Sequence, residues 1–219
     1  MDLTGAVVLV TGGGRGIGAA IGRSFAEAGA KVALVARTAS EVEAIASEIG
    51  ALAIVGDVRI EADAQRAVLQ TVEEFGALTV LVNCAGSAVY KSFPEHSVAD
   101  YDAVMDTNVK GVFLITRESL VHRPRIIITI SSAAGKIGMP LFSVYCASKF
   151  AVRGLMESLA QETHAKVYTV FPGPVDTRMF QELMNEQARM RPEDVANAIV
   201  SLCQEEPPTG YELDLYKND

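Results

Sequence analysis

Short apolar runs alternate with longer amphipathic stretches along the 219 residues of the chain. The short runs are rich in Val, Ile and Leu and show little strict alternation, which is typical of strands buried on both faces. We expect strands at Ala6–Val10, Lys31–Val35, Leu52–Val55, Leu78–Val82, Arg125–Ile130, Lys166–Phe171 and Tyr211–Leu215. The amphipathic stretches predict helices at about Gly16–Ala28, Ser40–Ile49, Glu61–Phe75, Val98–Leu120, Tyr145–Glu162 and Arg191–Gln204.

This alternation of strands and helices favours an α/β fold. We predict a doubly wound, Rossmann-type, mostly parallel seven-stranded sheet with helices on both faces. No repeat, low-complexity tract or linker interrupts the pattern, so residues 1–219 are interpreted as a single domain.

Composition narrows the classes of function. Hydrophobic residues make up 49% of the chain, and the formal net charge is −8 with no basic run. Nucleic acid and anionic membranes are therefore unfavoured partners, and no apolar run approaches the roughly 20 residues of a membrane helix. The start of the chain lacks a basic leader, and the cysteines and histidines are scattered. We expect a cytoplasmic protein with reduced thiols and no metal.

A glycine-rich segment, Thr11–Gly18, joins the first predicted strand to the first helix. Glycine lets the backbone turn sharply and approach a pyrophosphate, and the helix start offers free N–H groups with partial positive charge. The G-x-G-x-x-G pattern is met only in the relaxed form Gly14-x-Gly16-x-x-Ala19. A tight turn without a ligand is the alternative, but the position after the first strand favours a dinucleotide site.

Tyr145 and Lys149 stand four residues apart in a predicted helix, so their side chains share one face. An ammonium so close favours the phenolate and is expected to lower the pKa of Tyr145 from its reference value near about 10. Such a tyrosine can donate a proton to a developing alkoxide or take one from an alcohol. The alternative is a chance pair with a structural role only.

The glycine segment, read as T-G-x-x-x-G-x-G, and the pair Tyr145-x-x-x-Lys149 together resemble the short-chain dehydrogenase/reductase family. The resemblance extends from Thr11 to about Leu215. It implies an oxidoreductase that moves a hydride between a nicotinamide cofactor and a carbonyl or secondary alcohol, with Tyr145 as the acid/base. Within the family, the chain resembles a compact carbonyl or ketoacyl reductase.

The resemblance also assigns partners to Tyr145. The second serine of a pair, thirteen residues before the tyrosine, hydrogen-bonds the substrate oxygen in the family, and Ser132 has that spacing. Asn108 matches the asparagine that helps hold a water in the proton relay. The implied catalytic residues are Asn108, Ser132, Tyr145 and Lys149.

A cofactor site follows from further matches to the family. Asp57 matches the aspartate beside the adenine amino group. Asn83–Gly86 resembles the family's Asn-Asn-Ala-Gly with Cys84 in the second position, and Pro172–Thr177 resembles the segment that lies against the nicotinamide. The implied cofactor-binding residues are Gly12, Gly14, Arg15, Gly16, Ile17, Gly18, Arg37, Thr38, Asp57, Val58, Asn83, Ala85, Gly86, Tyr145, Lys149, Pro172, Gly173, Val175 and Thr177.

The end of the second strand bears on the choice of cofactor. An NAD site usually has an acidic residue there, but no carboxylate appears before Glu41. Arg37 stands where a 2′-phosphate would need a cation, and Arg15 lies in the neighbouring turn. NADP(H) is therefore preferred. NAD(H) stays possible if Arg37 is an ordinary solvated side chain.

The segment that covers the substrate in the family is short here, spanning about residues 179–190. We therefore expect an open and weakly selective cleft, in which Met179, Met184 and Met190 either line an apolar mouth or simply pack. The family resemblance implies a homodimer or homotetramer acting on a small carbonyl or alcohol. The alternative function is a non-catalytic NADP(H)-binding sensor on the same fold.

Overall fold

The computed structural model describes residues 1–216, and its seven strands form one sheet in the order β3-β2-β1-β4-β5-β6-β7. Every neighbouring pair of strands is parallel. The strands are β1 (Val7–Thr11), β2 (Lys31–Ala36), β3 (Leu52–Val55), β4 (Val80–Asn83), β5 (Ile126–Ile130), β6 (Lys166–Pro172) and β7 (Tyr211–Leu215). The predicted doubly wound α/β fold is confirmed.

Helices cover both faces of the sheet, as predicted. They are α1 (Gly16–Glu27), α2 (Ala39–Ile49), α3 (Glu61–Phe75), α4 (Val98–Met105), α5 (Gly111–Leu120), α6 (Ser143–Glu162), α7 (Arg178–Met184) and α8 (Pro192–Glu205). Side chains of α1, α2 and α8 belong to one apolar cluster, and those of α3, α5 and α6 belong to the other.

The two clusters explain why the strands are apolar throughout. Within β1, Val8 and Val10 belong to the first cluster and Leu9 belongs to the second. Because successive side chains of a strand point to opposite faces, a sheet covered on both sides needs an apolar residue at every position.

The predicted helix Val98–Leu120 contains a feature that the apolar pattern does not indicate. A π-helical stretch, Asp106–Lys110, separates α4 from α5, and the N–H of Gly111 bonds the carbonyl of Asp106. A Cβ on Gly111 would lie 2.7 Å from Cγ2 of Val58, so glycine lets this helix approach the loop after β3 closely. Such single π turns are frequent at functional sites.

The last strand, β7, is an edge of the sheet and carries acidic side chains. Glu212 pairs with Arg153 at 2.6 Å and with Lys136 at 3.1 Å, and Asp214 pairs with Lys136 at 2.5 Å. The Lys136 ammonium also lies 4.2 Å from the centre of the Phe171 ring. These contacts fasten β7 to α6 and to the turn after β5.

The strand order reverses between β1 and β4, which are neighbours in the sheet although β2 and β3 separate them in sequence. The loops that leave the carboxyl ends of these strands diverge, and the space between them is where ligands bind in open α/β sheets. Among residues 1–216, no helix is both long and apolar enough to cross a membrane.

Candidate active site

A cleft of about 410 Å³ opens at the carboxyl edge of the sheet. Nearly all of the predicted site residues line it: Gly12, Gly14, Arg15, Gly16, Ile17, Gly18, Arg37, Thr38, Asp57, Val58, Ala85, Gly86, Ser132, Tyr145, Lys149, Pro172, Gly173, Val175 and Thr177. The two exceptions are Asn83 and Asn108, which are buried beside the cleft and do not line it.

The turn after β1 packs so closely against neighbouring backbone that two of its positions have no room for a side chain. Gly12 has a φ of +71°, and a Cβ there would lie 2.9 Å from Cα of Ala85. A Cβ on Gly18 would overlap the carbonyl oxygen of Gly12. Helix α1 then begins at Gly16 with no side chain capping its start. Its first N–H groups and the positive helix end suit a phosphate.

Thr11 fixes the loop opposite this turn and was not among the predicted site residues. Its hydroxyl oxygen accepts hydrogen bonds from the N–H groups of Cys84 at 3.0 Å and Ala85 at 3.1 Å. The side chain therefore ties the end of β1 to the loop after β4. In the sequence, the only indication of this role is the place of Thr11 at the start of the glycine-rich segment.

One end of the cleft, beside the glycine turn, is charged. Glu41 lies 3.6 Å from the Arg15 guanidinium and 3.8 Å from that of Arg178. Arg37 is exposed at this end and has no carboxylate within 4.0 Å among residues 1–216. Sequence reasoning missed Glu41 and Arg178 as cleft residues, because they come from α2 and α7 and meet only in the folded chain.

Asp57 lines the same end, but its carboxylate already has a partner. Arg59 donates to it from Nη2 at 2.6 Å and from Nε at 3.0 Å. Hydrogen bonding to Arg59 lowers the pKa of Asp57, although burial opposes the shift. The carboxylate is therefore ionised and held in place, and it remains an acceptor facing the cleft.

Asn83 does not itself line the cleft, and its assignment to the cofactor stays a prediction. Its side chain is 2% exposed, and Nδ2 donates to the hydroxyls of Thr116 at 3.0 Å and Thr129 at 3.2 Å. The residue ends β4, and its side chain points into the layer between β5 and α5. Its role in the structure is to join these three elements.

Ser132 and Tyr145 meet at the other end of the cleft. Ser132 begins the turn after β5, where its Oγ accepts the N–H of Ala134 at 3.2 Å. Tyr145 comes from the first turn of α6. Burial raises the pKa of Tyr145, and a hydrogen bond with Ser132 opposes the rise. The sequence predicts that Lys149 lowers this pKa, and that prediction is wrong for the protein without a bound ligand. Desolvation of the phenol outweighs the other effects on its pKa.

Lys149 is buried one turn further along α6. Its Nζ donates to the carbonyl of Ile130 at 2.8 Å and lies 5.6 Å from the centre of the Tyr145 ring. The residue is 6% exposed, and burial lowers the pKa of its ammonium to about 8. Lys149 can therefore gain or lose a proton close to neutral pH.

Asn108 lies in the π-helical stretch, behind the loop after β4. Its Oδ1 accepts the N–H of Ser87 at 2.8 Å, and Nδ2 donates to the Ser87 carbonyl and the Ser148 hydroxyl, both at 2.9 Å. A Cβ on Gly86 would lie 3.5 Å from Oδ1 of Asn108 and 3.9 Å from Nζ of Lys149. The amide of Asn108 is thus committed to holding this loop against α6.

The segment after β6 closes the cleft on its remaining side. A Cβ on Gly16 would lie 3.4 Å from the Thr177 methyl, so this segment meets the glycine turn. The Thr177 hydroxyl oxygen accepts the N–H of Phe180 and so caps α7. Met179 and Met184 on this helix line the cleft, whereas Met190 does not.

Buried cysteines add little reactivity to the site. Cys84 lines the cleft, and burial raises the pKa of its thiol to about 12. All three cysteines are free. Within residues 1–216, no group of His, Cys, Asp or Glu side chains is arranged to hold a metal ion.

The arrangement suits a long ligand with an anionic middle. Gly12 and Gly18 let the turn after β1 pack tightly against neighbouring backbone, and α1 begins there without a side-chain cap. A pyrophosphate fits these donors, as in dinucleotide sites.

Comparisons with known proteins bear directly on this cleft. The family model described as short chain dehydrogenase matches residues 6–188. An uncharacterized oxidoreductase from Thermotoga maritima is 39% identical over 214 residues, which cover 92% of this chain and 83% of that protein.

Two solved structures extend the comparison to three dimensions. The 3-ketoacyl-(acyl-carrier-protein) reductase from Brucella melitensis complexed with NADH is 30% identical, with a TM-score of 0.92 and 97% of each chain covered. A short chain dehydrogenase from Burkholderia cenocepacia in complex with NADP is 29% identical, with a TM-score of 0.90 and 98% of each chain covered. Since the family match spans most of the sequence and these folds superpose over nearly all of it, the chain belongs to the short-chain dehydrogenase/reductase family of nicotinamide-dependent oxidoreductases.

Proposed function

We propose that this enzyme is an NADP(H)-dependent carbonyl reductase or secondary-alcohol dehydrogenase with Tyr145 as its acid/base. The observation that carries the proposal is the convergence of Ser132 and Tyr145, beside buried Lys149, in the same cleft as the glycine cradle. No feature of the site favours the alternative of a non-catalytic sensor.

The two hydroxyls have distinct tasks in this proposal. The Oγ of Ser132 accepts the N–H of Ala134, and its own proton can be donated either to the Tyr145 oxygen or to a substrate oxygen. Ser132 and Tyr145 can therefore both donate to one carbonyl oxygen and stabilise the negative charge that develops there. The nicotinamide supplies or receives the hydride when bound, and the protein supplies the geometry and the proton.

Tyr145 is suited to donate. Because burial raises its pKa, the phenol keeps its proton at neutral pH until an alkoxide forms beside it. Lys149, with a pKa of about 8, can resupply that proton through the solvent chain to which we assign Asn108. Alcohol oxidation uses the same groups in reverse.

Three arginines support NADP(H) over NAD(H). Arg15, Arg37 and Arg178 surround the charged end of the cleft, where Glu41 is the carboxylate that balances two of them. The three guanidinium groups outnumber this carboxylate, so the negative charge of a 2′-phosphate would be attracted to them. A guanidinium group can also bind a phosphate through two hydrogen bonds. Asp57 is occupied by Arg59 and keeps its place as an acceptor for adenine.

The residues we assign to the substrate lid are about 179–190, and we place the enzyme in the cytoplasm as one domain over 1–219. Within this lid, helix α7 brings Met179, Phe180, Leu183 and Met184 to the cleft wall. A short lid that starts at the cofactor end would cover the cofactor and still leave the substrate room to enter.

We also propose that two copies associate through α6. Its sheet-facing side is buried through Val152 and Met156, which leaves Ala147, Phe150 and Leu155 exposed. An exposed apolar helix face of this kind suits a two-fold interface.

Sedimentation velocity should give a dimer or tetramer, and Leu155→Asp should shift the protein toward monomer. A wild-type monomer at micromolar concentration would contradict this assembly.

Tyr145→Phe should lower kcat for ketone reduction by about 10²–10⁴-fold, because it removes the proton donor and leaves the ring. The dissociation constant of NADPH should change by no more than about tenfold, the value of one hydrogen bond. Steady-state kinetics and fluorescence titration measure the two quantities. Tyr211→Phe, at an exposed tyrosine of β7, is the matched control. Near-normal turnover by Tyr145→Phe would end the assignment.

Lys149→Met should abolish turnover and yet stabilise the fold at pH 7. The folded-state pKa of about 8 lies below the ordinary lysine value of 10.5, so the unfolded chain binds more protons between these values. Wild-type stability therefore rises with pH across that window, and below it the buried charge costs roughly 3 kcal/mol.

Urea denaturation at pH 7 and pH 10 compares the two proteins. The gain from Lys149→Met should be largest at pH 7 and shrink as pH rises. Lys31→Met, at an exposed lysine, is the control and should show no such trend. A variant that is less stable than wild type at pH 7 would show that Lys149 stabilises the fold.

Arg37→Gln should weaken NADPH binding by about 10–100-fold, because a charge-assisted contact to the 2′-phosphate is lost. NADH affinity should change little. Titration with both cofactors measures this, and Arg123→Gln, an arginine outside the cleft, is the control. Equal loss for both cofactors, or no loss, would mean that Arg37 does not read the phosphate.

A further inference from the structure

The charged side chains that line the cleft gather at its cofactor end. Glu41 bridges Arg15 and Arg178 there, and Arg37 lies close enough to Asp57 to lower its pKa. At the Tyr145 end, Lys149 is the one charged lining residue in the part of the chain that the structure describes. Its ammonium is bonded to the Ile130 carbonyl. Because Lys149 is only 6% exposed and is bonded to Ile130, this end presents no exposed ion to a charged group on the substrate.

Neutral polar groups at the same end are mostly committed to the protein. The hydroxyls of Ser87 and Thr107 both donate to the carbonyl of Ala103, at 3.3 and 2.8 Å. The hydroxyl of Ser131 donates to the carbonyl of Lys149 at 3.1 Å. Ser132 and Tyr145 remain, and both serve a single oxygen. A sugar or another polyhydroxylated substrate would find few hydrogen-bond donors for its further hydroxyls.

The wall beside Tyr145 is aromatic. The ring of Phe142 lies 5.8 Å from that of Tyr145, and the ring of Tyr90 lies 4.8 Å from Phe142, with tilted planes in both pairs. Rings at these spacings attract one another beyond simple burial. Phe142 and Tyr145 line the cleft, and Tyr90 packs against Phe142 without lining it.

Thioethers and aliphatic groups complete this wall. Met139 lines the cleft near Phe142, whose N–H bonds the Met139 carbonyl at 3.2 Å. Methionine sulfur adapts in shape and makes favourable contacts with aromatic rings. The apolar side chains that line the cleft from the loop before α6 and from α7 are Met139, Phe142, Met179, Phe180, Leu183 and Met184.

We propose that the substrate is a neutral aryl ketone, or the corresponding benzylic alcohol. Its carbonyl oxygen would take both hydroxyls, its ring would pack against Phe142 and the methionines, and it would carry no charged group. This inference rests on the proposed reductase function. Reduction adds a hydride to the carbonyl carbon and the Tyr145 proton to its oxygen, with NADPH oxidised to NADP⁺.

The test compares isosteric ketones with the wild-type enzyme and NADPH. The pair 4-isopropylacetophenone and 4-acetylbenzoate differ in charge at nearly constant shape, and acetophenone and cyclohexyl methyl ketone differ in aromaticity. We expect kcat/KM to favour the isopropyl compound over the carboxylate by at least about 100-fold, because the carboxylate would be desolvated without a partner. Acetophenone should exceed its saturated analogue by about threefold to tenfold.

A variant that keeps the site apolar but removes the ring tests the aromatic wall directly. Phe142→Leu should remove the preference for acetophenone over cyclohexyl methyl ketone while retaining turnover of both. Phe93→Leu is the matched control, since Phe93 is 78% exposed and does not line the cleft. An unchanged preference in Phe142→Leu would overturn the role of this ring.

The outcomes separate the two proposals. An acetoacetyl thioester of N-acetylcysteamine is added to the panel as a neutral aliphatic ketone. If this thioester or 4-acetylbenzoate is reduced as well as the aryl ketones, the substrate class is overturned and the reductase function stands. If NADPH binds but no ketone of the panel is reduced, the proposed function is overturned as well.

Discussion

The hydroxyl of Thr11 is the contact on which the cleft depends. It is 2% exposed, ends the central strand β1, and accepts two N–H groups from the loop that leaves β4. Those two strands are where the sheet changes direction, so their loops have no ladder to hold them together. With the loops tied, Gly12 can pass so close to Ala85 that no side chain fits between them. The cradle that we propose for a pyrophosphate is therefore built by backbone and held by one side chain.

The reactive end of the cleft is supported in the same way from several elements. Lys149 is anchored to the end of β5 through the carbonyl of Ile130, while its own carbonyl accepts the hydroxyl of Ser131. Gly135 makes this approach possible, since a Cβ there would lie 2.9 Å from the Lys149 carbonyl oxygen. Helix α6 and the serine turn thus hold one another in position. The cost of this packing is a cation kept out of water, which shifts its pKa toward neutrality.

The apolar pattern predicted every strand, since a sheet covered on both faces leaves continuous runs that need no partner to be recognised. It also brought the glycine turn, Ser132 and Tyr145 to one edge of that sheet. The pattern could not show which way the side chain of Asn83 points at the end of β4. It also could not show that the helix around Asn108 widens into a π-helical turn. It also missed Glu41 and Arg178, because an ion pair between α2 and α7 exists only after folding. The shift in the pKa of Tyr145 was predicted with the wrong sign, since spacing in a helix reports the neighbouring charge and not the desolvation.

The acidic edge strand β7 has a consequence for how the protein behaves at high concentration. An edge strand exposes unpaired N–H and C=O groups and can template the addition of a foreign strand. Glu212 and Asp214 place negative charge on this edge, and an identical strand brought alongside would bring the same charges. Lys136 and Arg153 neutralise part of this charge from within the same chain. The ion pairs that fasten β7 therefore also set how strongly the edge resists aggregation, and salt that screens them would weaken both effects.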